Sequence, residues 1–201
     1  MPEQLWLPGL EAPPTPTDGL FFAVLPDSNT AAGIAKLAQR LCGEARARGK
    51  PLAPGRLHVT LRHLGNFAGG LPQAHVQAAM QAAASIRMAP FTVEFDTVAS
   101  FASKPRPGPL VLTGSDGVVG LHTLHDALQG ALRDCGIGSR PGSTAVAFTP
   151  HVTLAYGLPW VAASPVEPVG WNVREFALIH SLLGRTRHLV LARWPLEGAE
   201  P

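Results

Sequence analysis

The chain has 201 residues, 46% of them hydrophobic and 15% charged, with a formal net charge of +2 at pH 7. That composition is globular and long enough to bury a sizeable core. It excludes a protein that coats nucleic acid through bulk charge, and no apolar run approaches the roughly 20 residues of a membrane span.

Residues 1–18 carry Pro2, Pro8, Pro13, Pro14 and Pro16 with few core formers, and are expected to form a flexible extension in which only Leu5, Trp6 and Leu7 could dock. Residues 19–201 are expected to fold as one domain. Leu20–Leu25 is a short apolar run stopped by Pro26 and predicts a buried strand. Apolar residues at Ile34, Leu37, Ala38, Leu41, Cys42 and Ala45 then predict a helix that Asp27, Ser28 or Asn29 can cap, with Arg40, Arg46 and Arg48 away from the centre of the stripe. After Pro51 and Pro54 comes a strand holding Leu57-His58-Val59-Thr60-Leu61 and ending near Gly65. A second helix is expected over about 71–87, with Val76, Ala79, Met80 and Ala83 on one face, followed by a strand at 91–95. The loop at 103–109 is rich in proline and contains Lys104 and Arg106; it leads into a strand at 110–113. A third helix spans about 118–135, with Val118, Leu121, Leu124, Leu128 and Leu132 inward. Pro150-His151-Val152-Thr153-Leu154 follows as a strand, and two last strands are expected at 171–180 and 188–194, around a turn at Gly184.

Each half of the sequence therefore places a His-Val-Thr-Leu strand soon after a long helix. This order predicts an α+β fold of two similar lobes packed around a cleft, rather than a regular parallel sheet. No glycine-rich phosphate loop or dinucleotide fingerprint is present. Cys42 and Cys135 form no motif and are expected as reduced, buried thiols. The start lacks the pattern of a secretory signal, so a cytoplasmic protein is expected.

Alternation along a strand puts His58 and Thr60 on one face and Val59 and Leu61 on the other, with Arg62 extending the polar face. His151 and Thr153 repeat the pattern, but Ala155 stands where the first motif has Arg62. Two imidazoles across a cleft supply an acid and a base near neutral pH, and threonine hydroxyls can donate to non-bridging phosphate oxygens. Attack of water on a cyclic phosphodiester suits these parts.

The motifs Leu57–Gly65 and Phe148–Leu154 resemble the paired His-x-Thr signatures of the two-histidine (2H) phosphoesterases. Within them the chain is most similar to the RNA 2′,3′-cyclic phosphodiesterases, also called 2′-5′ RNA ligases. Phe21–Pro26, Pro90-Phe91 and Arg193–Leu196 extend the likeness to residues 20–196. The chain departs from the usual pattern at His63, at Ala155-Tyr156-Gly157, and at Leu110 and Thr113. The resemblance implies mainly antiparallel, pseudo-symmetric lobes with helices outside, and hydrolysis of a 2′,3′-cyclic phosphate to a 2′-phosphate without metal or cofactor. Joining or cleavage of 2′-5′ linkages is a related activity. It implies His58 as the acid toward the leaving 3′-oxygen and His151 as the base for water. Thr60, Thr153 and Arg62 would hold the phosphate. The expected partner is RNA or a nucleotide with a cyclic end, acted on by a monomer that needs no protein partner.

Other residues carry weaker signals. His122 and His125 have a spacing that can hold a metal, but no third ligand stands nearby in sequence, so a flanking role is expected. His63 is expected to pack on the opposite strand face. Lys104 and Arg106 are either solvated or reach an RNA backbone. Tyr156, Phe148 and Trp160 can stack on a base, although packing is the expected role, and His180, His188, Trp171 and Trp194 read as strand and core residues. Two rival functions use the same residues. One is the same chemistry on a cyclic nucleotide or an ADP-ribose cyclic phosphate, which substrate-length preference distinguishes. The other is a non-catalytic RNA-binding module, which binding without turnover would reveal.

Overall fold

The computed structural model describes residues 13–44, 49–101, 108–138 and 147–198. Leu5, Trp6, Leu7, Ala45, Arg46, Arg48, Lys104 and Arg106 lie outside the described residues.

The apolar run after the extension forms β1 (Asp18–Val24), buried along its whole length. Helix α1 (Ser28–Glu44) follows, and the sequence left three residues able to cap it. Asp27 does so: Oδ1 accepts from the backbone N–H of Asn29 and of Thr30, each at 2.9 Å. Its buried face is Ala31, Ile34, Ala35, Ala38 and Cys42. A two-residue strand, β2 (Lys50–Pro51), precedes β3 (Val59–Phe67), which carries the first motif. Then come α2 (Gln73–Ala84), β4 (Phe91–Ser100), β5 (Leu110–Thr113) and α3 (Val119–Asp134). Leu121, Leu124, Leu128 and Leu132 of α3 are buried, as the leucine spacing predicts. The second motif forms β6 (His151–Tyr156), and β7 (Ser164–Val173), β8 (Glu175–Leu182) and β9 (Arg187–Pro195) complete the chain.

Among the described residues the nine strands form one sheet in the order β7-β4-β5-β6-β3-β1-β8-β9, with β2 paired to β6. Every pairing is antiparallel. The sheet divides at its middle, because β3 and β6 share a single paired position, Val59 with Val152. On one side of that seam lie β3-β1-β8-β9, and on the other β6-β5-β4-β7. Each motif strand is thus the inner edge of a four-stranded half.

The lobes are not the two halves of the sequence. The last two strands, β8 and β9, join β1 and β3, so one lobe is built from both chain ends around the other. The single strand expected over 171–180 is a second correction. Its alternation continues without a breaker, yet the chain leaves β7 at Val173 and enters β8 at Glu175. With only Arg174 between them, an outer strand of one half and an inner strand of the other must approach closely, and the sheet curls around the core.

One apolar cluster takes in the buried faces of all three helices and one face of the strands. A smaller cluster of Phe21, Ala23, Ala177 and Ile179 lies on the opposite face of β1 and β8. The polar residues of the motifs share that second face. At the far end of β1, Asp18 accepts from the Thr17 hydroxyl and the Gly70 N–H and pairs with Nε2 of His180 at 2.6 Å, tying three segments together. The Thr17 and His180 bonds hold the Asp18 carboxyl below the usual carboxylate range. Cys42 is buried and Cys135, at the end of α3, is partly so; neither is paired. No helix among the described residues is long and apolar enough to cross a membrane.

Candidate active site

The register at the seam builds the site. Val59 and Val152 face each other and are fully buried, so the residues flanking them project to the opposite face. The antiparallel register then sets His58 across from Thr153 and Thr60 across from His151. The four side chains thus stand at the corners of a quadrilateral, histidines on one diagonal and threonines on the other. On the flanking strands Ala23 pairs with Thr60 and Val111 with Thr153, and both are buried, giving each threonine an apolar floor.

Both imidazoles are fixed in the same way. Nδ1 of His58 lies 2.7 Å from the carbonyl oxygen of Arg56, and Nδ1 of His151 lies 2.8 Å from that of Thr149. A carbonyl only accepts, so in each ring Nδ1–H is the donor and Nε2 is left for a substrate. In each case the partner is two residues upstream. For His58 the carbonyl is held by a short 3-10 turn, Pro54–Arg56, closed by Leu57 N–H donating to Pro54 O at 3.1 Å.

The rings differ in their surroundings. His58 packs against Phe21 (centroids 5.0 Å apart) and edge-on against His188 (5.2 Å), whereas His151 stacks at 4.2 Å on the exposed ring of Phe101. Burial lowers the pKa of His58 to about 4. Its bond to the Arg56 carbonyl opposes the shift, while His188, the Arg56 guanidinium and His151 add repulsion. Burial also lowers the pKa of His188, again with repulsion from Arg56.

Beside His151 opens a cleft of about 250 Å³, whose lining includes Thr60, Arg62, His63, Phe101, Phe148 and Thr149. Arg62 stands at this cleft as expected, although the strand is not regular between it and Thr60. A β-bulge separates Thr60 from Arg62 in the pairing with β1. For the same reason His63, expected on the other face, also lines the cleft, with its Nε2 3.0 Å from Asn66 Oδ1.

His125 flanks the site. Its Nδ1–H donates to the Leu61 carbonyl at 2.8 Å and its ring lies flat on Phe148 at 4.1 Å, tying α3 to β3. His122 meets the same phenylalanine edge-on. Among the described residues no three His, Cys, Asp or Glu side chains gather as metal ligands. Tyr156 and Trp160 are exposed and do not line the cleft, while Trp171 and Trp194 stack in the core on Phe95 and Phe176.

Sequence reasoning missed Arg56, His188 and the ring contacts of Phe21 and Phe101. Phe21 follows from alternation on β1, since Leu20 and Phe22 are core residues. His188 has no local signal: it joins His58 only because β9 adds to the lobe that contains β3.

The 2′-5′ RNA ligase superfamily matches the sequence over residues 25–185. Among solved structures, TT0787 of Thermus thermophilus is similar at 23% identity, with a TM-score of 0.72 over 90% of this chain and 100% of that one. LigT of E. coli complexed with 3′-AMP is 25% identical, with a TM-score of 0.67 over 90% of this chain and 99% of that one. The same E. coli protein complexed with NADP+ gives 26% and 0.64, over 91% and 99%. No curated protein matches the chain.

Proposed function

The chain belongs to the 2′-5′ RNA ligase superfamily, and from there we propose that it hydrolyses 2′,3′-cyclic phosphodiester ends of RNA or nucleotides to 2′-phosphomonoesters. The observation that carries this reading is the matched pair of imidazoles, each with Nδ1 held by a carbonyl two residues upstream, which leaves Nε2 for a substrate. The E. coli relative solved with 3′-AMP supports a nucleotide-sized ligand.

In this reading the cyclic phosphate sits over the His–Thr quadrilateral. Thr60, Thr153 and Arg62 hold its non-bridging oxygens. Nε2 of His151 takes a proton from water as its oxygen attacks phosphorus. The bond to the 3′-oxygen breaks, and protonated His58 gives its proton to that oxygen. Solvent exchange then returns both rings to their starting states. An alcohol in place of water would form a 2′-5′ linkage by the same route. The test is to identify the product from a 2′,3′-cyclic nucleotide by phosphorus NMR with chelator present. A 2′-phosphate is expected; a 3′-phosphate, or no turnover without added metal, overturns the proposal.

A donor role for His58 requires that substrate binding charge the ring. In the empty site the ring is neutral at pH 7, and the negative charge of a bound phosphodiester raises its pKa. Once charged, it is a strong acid in a dry setting. Binding therefore takes up a proton, and affinity rises as pH falls from 7 toward 5. Calorimetry of a 2′,3′-cyclic nucleotide with the His151→Ala protein, in two buffers of different ionisation enthalpy, is expected to show this uptake at pH 6. Absence of uptake would reverse the donor and acceptor roles.

A further inference from the structure

The described structure leaves one cluster of basic groups without a counter-charge. Arg56 is partly buried, its Nε is sealed from solvent, and that atom has no hydrogen-bond partner. The ion pairs among the described residues join Arg40 to Glu44, His180 to Asp18 and Arg193 to Glu175, so none engages Arg56. His188 lies against His58 at 5.2 Å and against Phe21 at 5.4 Å, and Arg56 acts on both imidazoles. A half-buried guanidinium with an unpaired Nε is unfavourable in the empty protein, and an anion beside it would relieve the cost and favour the charged forms of both imidazoles.

That anion is distinct from the phosphate being opened. The sheet order runs β6-β3-β1-β8-β9, so His188 on β9 stands on the other side of His58 from His151. The reacting phosphate lies between the two motif histidines. If His58 protonates the leaving 3′-oxygen, the ribose bearing that oxygen lies on the His58 side. A ribose so placed can direct its 5′-oxygen toward β9.

We propose that Arg56 and His188 form a second phosphate subsite, which holds the phosphoryl group on the 5′ side of the terminal ribose. This rests on the cyclic phosphodiesterase reading and names its substrate class: an RNA end or a 5′-phosphorylated nucleotide, rather than a nucleoside cyclic phosphate. The Arg56 guanidinium donates to the phosphoryl oxygens, and His188 becomes a second donor when protonated.

The test compares three adenosine 2′,3′-cyclic phosphates: one with a free 5′-hydroxyl, one with a 5′-phosphate, and one extended by a 5′ nucleotide. The wild-type kcat/KM is expected to favour the two phosphorylated substrates by about 10-fold or more, the scale of one charge-assisted hydrogen bond. Arg56→Met is expected to bring that ratio close to one. His188→Phe, which keeps the ring contacts with Phe21 and His58, is expected to reduce it less. Preference for the 5′-phosphate substrate alone assigns the subsite to a free nucleotide; equal preference for both assigns it to the phosphoryl group itself, as on RNA. A wild-type ratio near one, or a ratio unchanged in both variants, overturns the subsite. If the wild-type protein turns over none of the three, the reaction assigned above fails, and the same ratios are read from equilibrium binding of the same compounds.

Discussion

Replacing either His58 or His151 with alanine is expected to lower kcat by about 10²- to 10⁴-fold while the protein stays folded. Each ring handles a different proton in one concerted displacement, so the two losses will not multiply. The double variant is expected to retain nearly the activity of the weaker single variant. Both side chains sit on the cleft face, opposite the buried Val59 and Val152, so their removal leaves the seam intact. Far-ultraviolet circular dichroism and the urea midpoint are the controls. Full activity in both single variants would remove the two-histidine mechanism, and a fall in only one would leave a single acid or base.

Phe22→Ala is expected to have the largest effect on stability, about 3–5 kcal/mol in urea unfolding. Phe22 has no exposed surface, and its ring lies 6.0 Å from Phe176 and 5.9 Å from Trp194. It sits on β1, held between β3 and β8, so the cavity opens beneath the lobe that carries His58. A loss of this size is a large share of the about 5–15 kcal/mol that holds a typical domain together. The variant should therefore lose activity on warming, and a stabilising osmolyte should restore it. The histidine variants should show no such rescue, which separates damage to the core from damage to the chemistry. A change below about 0.5 kcal/mol, the scale of an ordinary surface substitution, would contradict this packing.

The contrast between neighbouring residues shows how far the sequence could be read. Phe21 and Phe22 are identical in type, and alternation alone sends them to opposite faces. Which face meets the core and which meets His58 depends on the strands that flank β1. Arg62 shows the limit of the same rule, because a bulge in the pairing with β1 interrupts alternation between Thr60 and Arg62, and with it the expected place of His63. Lys104 and Arg106, which suggested a loop over the cleft, lie outside the described residues. His125 bonds the Leu61 carbonyl, and both it and His122 meet Phe148, so α3 is held to β3 and to the segment that precedes β6.

By itself the sequence determined the two motif strands, the three helices and the division of each motif into two anchoring and two cleft-facing residues. These follow from backbone geometry and local apolar period, which need no knowledge of distant neighbours. Only the tertiary structure decided that the lobes are interleaved, that the chain changes lobe at Arg174, and that His188 and Arg56 stand beside His58. Strand order and burial are set by which apolar faces can be covered at once, a property of the whole chain. The repeated His-Val-Thr-Leu therefore located the candidate site, while the folding of both ends into one lobe gave its two histidines unequal surroundings.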